Sequence, residues 1–558
     1  MTKKITGAEA LLHCLEKQGA ELIFGYPGGA VLPIYDALAN FCSITHILTR
    51  SEQGAAHAAS GYAQIRHGVG VCLATSGPGA TNLVTGLATA YMDSIPIVAI
   101  TGQVATKMIG TDAFQEVDIT GITHPVTKHN YLLTSADDIP RAVAEAFYIA
   151  STGRPGPVLI DIPKDIMEAT CTADLDVEVK LAGYKPTYKG HGSQIKTASL
   201  AIAKAERPLI YVGGGVTISQ AGPEVISLAE KISAPIVNSL MAKSIIDPHH
   251  PLALGMMGMH GLPSANLAAT KADLIIALGA RFGDRITGLA DKFAAKAEII
   301  HIDIDPAEIG KNFPSHIPIV GDVKNVLQKL LERVEKTEHS HWLEEIESYK
   351  DRNLAIQKKP LDNHLTAWHV LTALGKMVGD TAIVSTDVGQ HQMSAAQFYN
   401  SNRPGAFLTS GGLGTMGYGL PAALGAQMAA PDDLVICLTG DGGLQMSLNE
   451  MATIKEHQLP IKIILFNNHC LGLVRQLQHV SCGDRFAAVD LVGPDFLRLA
   501  DAYDFEAYRI ESPHDVEPTL QKGLHNGRPT LIECMIKKED LVLPMVPSGK
   551  ALDEMIMP

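Results

Sequence analysis

Short runs of apolar, β-branched residues alternate with segments of helical periodicity along most of this chain. This alternation is typical of βαβ units, in which parallel strands are covered by crossover helices. We therefore predict an α/β fold built from doubly wound, mainly parallel sheets. Buried strands are expected at Val69–Thr75, Ile97–Thr101, Val158–Ile162, Leu209–Val212, Leu274–Leu278, Ile299–Ile304, Ala382–Thr386, Leu434–Thr439 and Ile461–Phe466.

The 558 residues exceed what a single hydrophobic core accommodates, so the chain should divide into several domains. The expected strands fall into three blocks. A polar, glycine-containing stretch at Asp174–Gly192 separates the first two, and a polar connection at Tyr349–His364 separates the last two. We predict three α/β domains with the bounds 1–180, 190–345 and 365–558.

The formal net charge of −14 argues against nucleic-acid binding, which usually needs a basic surface. Eight cysteines occur without any CxxC pair, and several lie in apolar runs, so we expect reduced thiols in a cytoplasmic protein. No run of about 18 uncharged apolar residues is present, and Glu9 interrupts the N-terminus early, so neither a membrane helix nor a signal peptide is expected.

Gly440-Asp441-Gly442 directly follows one predicted strand, and Asn467-Asn468 directly follows the next. The carboxyl ends of neighbouring parallel strands are where α/β sheets bind ligands, and we expect the crossover helix at Ser447–His457 to face a phosphate there. The glycines permit close approach of the backbone, and Mg²⁺ prefers oxygen ligands. We predict a Mg²⁺–diphosphate site with three oxygen donors; two unrelated turns are the alternative. The donors are the Asp441 carboxylate, the Asn468 side-chain carbonyl and the Cys470 backbone carbonyl.

This constellation resembles the thiamine-diphosphate enzymes, and the similarity to the acetohydroxyacid (acetolactate) synthases covers nearly the whole chain. The resemblance implies an N-terminal pyrimidine-binding domain, a C-terminal diphosphate-binding domain and a cofactor clamped between two subunits. The matching segments are Gly25–Ala30, Ser76–Asn82, Gly110–Glu116, Arg154–Pro157, Asp387–Gln392 and Gly412–Gly417.

The segment from Arg50 to Ala56 resembles the family's segment for the carboxylate that activates the cofactor through its aminopyrimidine ring. The resemblance implies that this residue is Glu52. The alternative is a solvated first-turn glutamate stabilised by the helix dipole. The family usually has His immediately before this glutamate, whereas this chain has Ser51.

Further roles follow from the resemblance. Met416 is expected to bend the cofactor as an apolar wedge, the Gly414 backbone to bond its pyrimidine, and Lys164 to lie at the access channel. Gln115 and Phe114 are expected to line the substrate cavity beside Gly29, with core packing as the alternative for Phe114. The other implied cofactor residues are Gln390, His391, Gly440, Asp441 and Gly442.

Leu477 stands where the family commonly has Trp, which narrows the pocket and favours 2-ketobutyrate as acceptor. We expect Leu477 to contact substrate and to favour pyruvate; simple helix packing is the alternative.

The middle block resembles the FAD-binding domain of the biosynthetic members, in which the flavin is structural. Family members usually have Asp where this chain has Gly283. Arg281 is also expected to receive a substrate carboxylate. The implied flavin residues are Arg154, Gly213, Gly214, Gly215, Met259, His260, Gly279, Arg281, Asp303 and Asp322.

The resemblance implies decarboxylation of pyruvate and transfer of the two-carbon unit to a second pyruvate or to 2-ketobutyrate, as in branched-chain amino-acid biosynthesis. It also implies a homodimer or tetramer and a small regulatory subunit as a possible partner. Three alternatives are a pyruvate oxidase-like flavoenzyme, a catabolic acetolactate synthase and a non-catalytic flavoprotein or regulatory subunit of the same fold.

Overall fold

The computed structural model of the chain describes residues 4–357 and 364–558. It contains three six-stranded sheets, and every strand pair within them is parallel. Helices cover both faces of each sheet, so the prediction of an α/β fold with three doubly wound domains is confirmed.

The N-terminal sheet has the strand order β3-β2-β4-β5-β7-β6, and the short strands β1 and β8 pair antiparallel beside it. Its strands are β1 (Ile5–Thr6), β2 (Leu22–Gly25), β3 (Thr45–Leu48), β4 (Gly70–Ala74), β5 (Ile97–Gln103), β6 (His129–Leu132), β7 (Val158–Pro163) and β8 (Thr170–Cys171). Its helices are α1 (Gly7–Lys17), α2 (Leu32–Leu38), α3 (Glu52–Arg66), α4 (Pro78–Asn82), α5 (Val84–Asp93), α6 (Ile119–Thr123), α7 (Ile139–Ser151) and α8 (Lys164–Glu168).

The central sheet has the order β11-β10-β9-β12-β13-β14. Its strands are β9 (Pro208–Val212), β10 (Ile236–Asn238), β11 (Ala253–Met256), β12 (Leu274–Leu278), β13 (Glu298–Asp303) and β14 (Ile317–Val320). The helices of this region are α9 (Gly192–Ile202), α10 (Gly214–Ile218), α11 (Gly222–Lys231), α12 (Pro263–Lys271), α13 (Asp284–Thr287), α14 (Val323–Leu331) and α15 (Ser340–Gln357).

The C-terminal sheet has the order β16-β15-β17-β18-β20-β19. Its strands are β15 (Ile383–Thr386), β16 (Phe407–Thr409), β17 (Val435–Gly440), β18 (Lys462–Asn467), β19 (Glu506–Ile510) and β20 (Thr530–Met535). Its helices are α16 (Ala367–Val378), α17 (Gln390–Phe398), α18 (Gly419–Ala429), α19 (Asp441–Gln445), α20 (Met451–Glu456), α21 (Gly472–Cys482), α22 (Phe496–Ala502) and α23 (Val516–Leu524).

The N-terminal and C-terminal domains share one hydrophobic core, although they lie far apart in sequence. This core is centred on α3 and α18, which pack against each other with very small residues at the contact. A Cβ atom on Gly61 would collide with the carbonyl oxygen of Ala422, and one on Gly425 would collide with that of Ala58. The glycines therefore allow the two helix backbones to touch, and this contact fixes the two domains relative to each other.

All nine predicted strands are present, with ends that differ by at most two residues. Between β4 and β5 the sequence pattern predicts a single helix from about Thr81 to Met92, whereas the structure has two, α4 and α5, with Leu83 between them. The prediction of a polar connection over Tyr349–His364 is wrong for its first part, because α15 continues to Gln357; residues 358–363 lie outside the described part of the chain.

The chain returns to the central domain after the last strand of the C-terminal sheet. Val546 and Leu552 belong to a core cluster that otherwise consists of central-domain residues and Trp342 and Ile346 of α15. The backbone N–H of Val546 donates to the carbonyl oxygen of Met259 (2.7 Å). The C-terminal segment therefore ties the C-terminal domain to the central one.

Candidate active site

A pocket opens at the carboxyl ends of β15, β17 and β18. These strands are neighbours in the C-terminal sheet, and Gly440 pairs with Phe466 in parallel register, so the loops after both strands emerge side by side. The pocket brings together eight residues that the sequence predicted for cofactor and metal binding, which are Gln390, His391, Met416, Gly440, Asp441, Gly442, Asn468 and Cys470.

The expectation of a crossover helix at Ser447–His457 needs correction. Helix α19 begins at Asp441 itself, directly after β17, and ends at Gln445. A short 3₁₀ turn at Leu448–Glu450 leads into α20. The sequence pattern placed the helix too late because Ser447 adopts a non-helical conformation and interrupts the crossover.

Asp441 is only 3% exposed, and among the described residues no Lys or Arg side chain forms an ion pair with it. Burial raises the pKa of its carboxyl to about 6, although backbone N–H groups, first that of Gly442, oppose the shift. A buried carboxylate without a cationic side chain fits a site that a metal ion completes.

The other predicted metal donors are an amide and a backbone carbonyl. Asn468 Oδ1 accepts the backbone N–H of Cys470 (3.1 Å), which holds the amide at the start of this loop. Within residues 4–357 and 364–558, no group of three or more His, Cys, Asp or Glu side chains could hold a metal ion. A set of one carboxylate, one amide oxygen and one backbone oxygen suits Mg²⁺ rather than zinc.

The pocket walls have room for an anion because side chains are missing at three positions. A Cβ atom on Gly440 would lie 3.1 Å from His391 Nδ1, and one on Gly442 would lie 2.9 Å from Leu471 Cδ2. A Cβ atom on Gly472 would collide with the side-chain amide of Gln390. His391 Nε2 is buried with no hydrogen-bond partner in the described structure, as expected for an atom that meets a ligand.

A buried carboxylate, that of Asp387, stabilises the turn that carries Gly414 and Met416. Asp387 accepts the backbone N–H groups of Val388 (2.8 Å), Gly417 (3.0 Å) and Gly419 (3.0 Å). Burial raises the pKa of Asp387 against these hydrogen bonds. Met416 lines the pocket, and the exposed Gly414 has a φ of +70°. The network therefore fixes the segment predicted to shape the cofactor.

Glu52 is the first residue of α3, which Ser51 caps by accepting the N–H of Gly54 (3.0 Å). Asn82 Nδ2 donates to Glu52 Oε2 (3.0 Å), and a Cβ atom on Gly79 would lie 3.2 Å from Glu52 Oε1. Glu52 is partly exposed and is not among the described residues that line the pocket around Asp441 of its own chain.

Gln115 lies in a turn with a φ of +59°, a conformation that is uncommon outside glycine and is often found at functional sites. The carbonyl oxygen of Gln115 would be 2.7 Å from a Cβ atom on Gly77. Phe114 is 88% exposed, which excludes the alternative of core packing within this chain. A Cβ atom on Gly29 would meet open space, and Lys164 begins α8 in a partly buried position.

Leu477 lies on α21 and is 38% exposed, so the core of this chain does not depend on it. Leu473 and Val474 of the same helix line the pocket around Asp441, whereas Leu477 is not among its described lining residues.

The residues predicted to hold a flavin all lie at the carboxyl edge of the central sheet except Arg154. Gly213 and Gly215 follow β9 and pack directly against the backbone of Gly279, which follows β12. Met259 and His260 come after β11, Asp303 ends β13, and Asp322 follows β14. The glycines thus serve the packing of two neighbouring loops.

Two of these residues offer free polar groups to a ligand at this edge. His260 is buried and its Nδ1 has no hydrogen-bond partner in the described structure. The partly buried Arg281 forms no ion pair among the described residues. A Cβ atom on Gly283 would meet no heavy atom within 4 Å, so packing does not prevent the Asp that family members usually have here.

Three other predicted flavin residues already have protein partners, and one of them, Asp303, is also a buried carboxyl group that accepts the backbone N–H of Asp305 (2.9 Å). Arg154 pairs with Glu308 (2.7 Å) and Asp305 (3.3 Å). Asp322 caps α14 by accepting the N–H of Asn325 (3.0 Å). Burial raises the pKa of Asp303 to about 6. The edge therefore fits a flavin with His260 and Arg281 as its free polar contacts.

Sequence reasoning missed several residues that support the site. Glu450 holds the start of α3, and Asn82 holds Glu52. The buried Gln476 accepts from Gln390 Nε2 (3.0 Å) and donates to the carbonyl oxygen of Val542 (3.0 Å). Asn82 ends the segment Ser76–Asn82 that resembles the family, and the other two are polar residues within helical patterns. Neither signal reveals a partner distant in sequence.

Three family models match this chain. Residues 5–122 match the N-terminal TPP binding domain of thiamine pyrophosphate enzymes, 195–330 the central domain, and 387–534 the C-terminal TPP binding domain. A probable acetolactate synthase large subunit of Methanocaldococcus jannaschii is 48% identical over 99% of this chain and 95% of its own length. The chain belongs to the acetolactate synthase family.

Two further relatives agree with this membership. An acetolactate synthase of Arthrospira platensis is 47% identical, over 99% of this chain and 98% of its own length. One of Mycobacterium bovis is also 47% identical, over 99% of this chain and 91% of its own length. As a member of this family, the chain is a thiamine diphosphate-dependent enzyme. Among its described helices, none combines the length and apolar character needed to cross a membrane.

Proposed function

We propose that this enzyme is a biosynthetic acetolactate synthase that decarboxylates pyruvate and joins the two-carbon unit to a second 2-keto acid. The pocket that gathers eight predicted residues around Asp441, in a chain 48% identical to an acetolactate synthase relative, carries this proposal. The products are 2-acetolactate from pyruvate and 2-aceto-2-hydroxybutyrate from 2-ketobutyrate.

Thiamine diphosphate supplies the carbon nucleophile and the electron sink for decarboxylation. Asp441, Asn468 and the Cys470 carbonyl would hold a Mg²⁺ ion, which would neutralise diphosphate charge within the glycine-lined walls beside His391. Met416 would press against the cofactor from the turn that Asp387 anchors. Glu52, oriented by Asn82, would hydrogen-bond the aminopyrimidine ring and favour the ring tautomer whose imino group can act as a base.

The remaining residues would select and protect the substrate. Phe114 and Gln115 would cover the reacting atoms beside Gly29, and exclusion of water there would prevent the protonation that releases acetaldehyde instead of the acetohydroxy acid. Arg281 has no ion pair among the described residues and would receive the substrate carboxylate, while Lys164 would stand at the entrance. Since the net charge of −14 repels anionic substrates, such local cations are needed.

We further propose that FAD binds at the carboxyl edge of the central sheet in a structural role. His260 Nδ1 and the Arg281 guanidinium, both without side-chain partners in the described chain, support this assignment. Removal of flavin should then lower thermal stability without removing an electron acceptor from the reaction.

The active unit is proposed to be at least a homodimer, because Glu52 does not line the Asp441 pocket of its own chain. The relative from Methanocaldococcus jannaschii is described as a large subunit, and we propose a small regulatory subunit as a partner here too. A cytoplasmic location is proposed because all eight cysteines are free and six are buried.

Product analysis tests the reaction. Purified enzyme with thiamine diphosphate, Mg²⁺ and FAD is incubated with pyruvate alone and with pyruvate plus 2-ketobutyrate. We expect 2-acetolactate in the first case and both acetohydroxy acids in the second. Release of acetaldehyde or acetate alone, or bleaching of the flavin by pyruvate without oxygen, would contradict the proposal.

A further inference from the structure

A second, larger cavity lies between the central and C-terminal domains, with a volume of about 620 Å³. It is bounded by β10, β11 and α15 on one side and by α16 and α17 on the other. Among the described residues that line it, none belongs to the set assigned above to thiamine diphosphate, Mg²⁺, flavin or substrate. Its volume falls in the range of small-molecule sites, roughly 300–1,000 Å³.

A cationic side chain without a counter-charge lies at this cavity. The side-chain ammonium group of Lys243 forms no ion pair and no hydrogen bond in the described structure, and it lies 5.8 Å from the centre of the Phe407 ring. Burial lowers the pKa of Lys243 to about 8, which reflects the cost of a charge that no protein group offsets. An anionic ligand would remove this cost.

Two neutral polar atoms at the cavity also lack partners. Ser244 Oγ and Gln397 Oε1 are both buried without a hydrogen bond, although Gln397 Nε2 donates to the carbonyl oxygen of His260 (3.0 Å). Ser244 also has a φ of +70°, a strained conformation for a residue with a side chain. Unmet buried polar atoms and local strain are features of ligand sites more than of structural cores.

The rest of the lining combines apolar and polar side chains, including the carboxylate of Asp351, and it contributes two aromatic rings. Trp368 of α16 and Phe398 at the end of α17 face the cavity together with Leu254 and Met256 of β11. The combination of an unpaired ammonium group, free hydrogen-bonding atoms and aromatic surfaces matches a planar organic anion. No arginine is among the described lining residues, so the anionic group of a ligand would meet the compact ammonium group of Lys243 and not a bidentate guanidinium.

We propose that this cavity is a second ligand site that binds a ring-bearing organic phosphate of nucleotide size. The phosphate lies at Lys243, hydrogen-bonding groups of the ligand meet Ser244 and Gln397, and the ring lies against Trp368. The site is independent of the catalytic pocket, so the proposal does not depend on which keto acids the enzyme uses.

AMP is the probe, added to enzyme saturated with thiamine diphosphate, Mg²⁺ and FAD so that the catalytic and flavin sites are filled. The chain has two tryptophans, and Trp342 is buried in the central core, so Trp368 reports on the cavity. We expect saturable quenching of tryptophan fluorescence by AMP, matched by isothermal titration calorimetry with about one site per chain. Adenosine, which lacks the phosphate, should bind at least about tenfold more weakly.

Lys243→Met keeps the apolar stem and removes the charge, and we expect it to weaken AMP binding roughly 10- to 100-fold. Lys243→Arg should retain most of the affinity. Lys350→Met is the matched control, because Lys350 also lines the cavity but already pairs with Glu347 (2.6 Å). All three variants should form acetolactate at the wild-type rate, which shows that they are folded.

Several outcomes would overturn the proposal. These are absence of AMP binding to the wild type, equal affinity for AMP and adenosine, or an unchanged affinity in Lys243→Met. The comparison of AMP with adenosine on the wild-type enzyme requires no variant, so the proposal stays testable even if Lys243→Met fails to fold.

Discussion

Glutamine at position 52 keeps the size and hydrogen-bonding reach of Glu52 but carries no negative charge. We expect Glu52→Gln to lower acetolactate formation by ~10²–10⁴-fold, because the neutral amide cannot supply the negative charge that promotes the tautomer shift of the aminopyrimidine ring. Calorimetric binding of thiamine diphosphate should be retained. Glu178→Gln, at an exposed position in the linker before α9, is the control. Near-wild-type turnover in Glu52→Gln would show that Glu52 does not activate the cofactor.

A substitution at Leu477 tests which residue sets the preference between pyruvate and 2-ketobutyrate as acceptor. It leaves part of its surface exposed on α21, one turn beyond the residues that line the pocket. We expect Leu477→Trp to shift product formation towards 2-aceto-2-hydroxybutyrate when both acceptors compete, because the added apolar contact is worth ~1–3 kcal/mol of discrimination. We also expect the wild type to resist sulfonylurea-type inhibitors more than the variant does.

The measurement for Leu477 is the ratio of the two acetohydroxy acids formed from a fixed mixture of pyruvate and 2-ketobutyrate. Leu477→Met, which keeps the volume nearly constant, should leave this ratio unchanged. The same ratio in the wild type and in Leu477→Trp would show that position 477 does not contact the acceptor.

Asp161 predicts a pH dependence of stability. It is buried and accepts hydrogen bonds from Thr101 (2.7 Å) and from Gln103 Nε2 (3.0 Å), and Gln103 Nε2 also donates to the carbonyl oxygen of Val117 (2.8 Å). Burial raises the pKa of Asp161 to about 7, from an ordinary value of 3.8. Its protonated form therefore stabilises the fold below about pH 4, and this contribution is lost as the pH rises towards 7.

We expect the thermal midpoint of the wild type to fall more between pH 5 and pH 8 than that of Asp161→Asn, which has no proton to lose at this position. Asp137→Asn is the control, since its exposed carboxyl has a lowered pKa because of backbone hydrogen bonds, first from Thr172. Parallel pH profiles for the wild type and Asp161→Asn would show that the buried carboxyl does not titrate in this range.

At the scale of elements, the strands could be predicted because a buried parallel strand leaves a continuous apolar run in the sequence. Because the strands could be predicted, the carboxyl edge of the C-terminal sheet could be predicted too. Asp441 and Asn468 follow two of these strands, so their closeness at that edge was also predictable. The contact between α3 and α18 could not be predicted, because its signal is a pair of glycines in helices more than 350 residues apart. The roles of Glu450 and Asn82 were hidden for the same reason.

Glu450 is an example of a contact between distant parts of the sequence that could not be predicted. It is buried, and its carboxylate accepts the backbone N–H of Arg50 (3.0 Å) and the hydroxyls of Ser51 (3.2 Å) and Thr453 (3.1 Å). It therefore holds the start of α3, directly before Glu52, against the crossover segment that begins at Asp441. Ser51, which replaces the usual His of the family, takes part in this contact.

We expect Glu450→Gln to lower kcat with little change in KM for pyruvate. The glutamine would place an N–H donor where a carboxylate oxygen now accepts the N–H of Arg50, and this would displace the start of α3. Glu456→Gln is the matched control, since Glu456 is exposed and, within the described part of the chain, its ion pair is with the Arg50 side chain (2.8 Å). Equal kcat values for the two variants would mean that Glu450 does not position Glu52.

At the scale of the whole molecule, the residues proposed to activate the cofactor and to hold its metal ion lie in different domains. Asp441 and the cofactor pocket belong to the C-terminal domain, whereas Glu52 lies in the N-terminal domain and outside that pocket. Phe114, Leu413 and Met446 are large apolar side chains that remain exposed in or beside segments predicted to meet substrate or cofactor. Such exposure is expected of surfaces that a second copy covers.

Subunit complementation tests this arrangement. If each site combines Glu52 of one subunit with Asp441 of the other, Glu52→Gln and Asp441→Asn homodimers are both nearly inactive. Random reassociation of the two variants after dilution and reconcentration gives half heterodimers, each with one intact site. We therefore expect recovery of about one quarter of wild-type activity. A mixture of Glu52→Gln with Glu52→Ala should recover none, and failure of the first mixture to exceed this control would place the whole site within one chain.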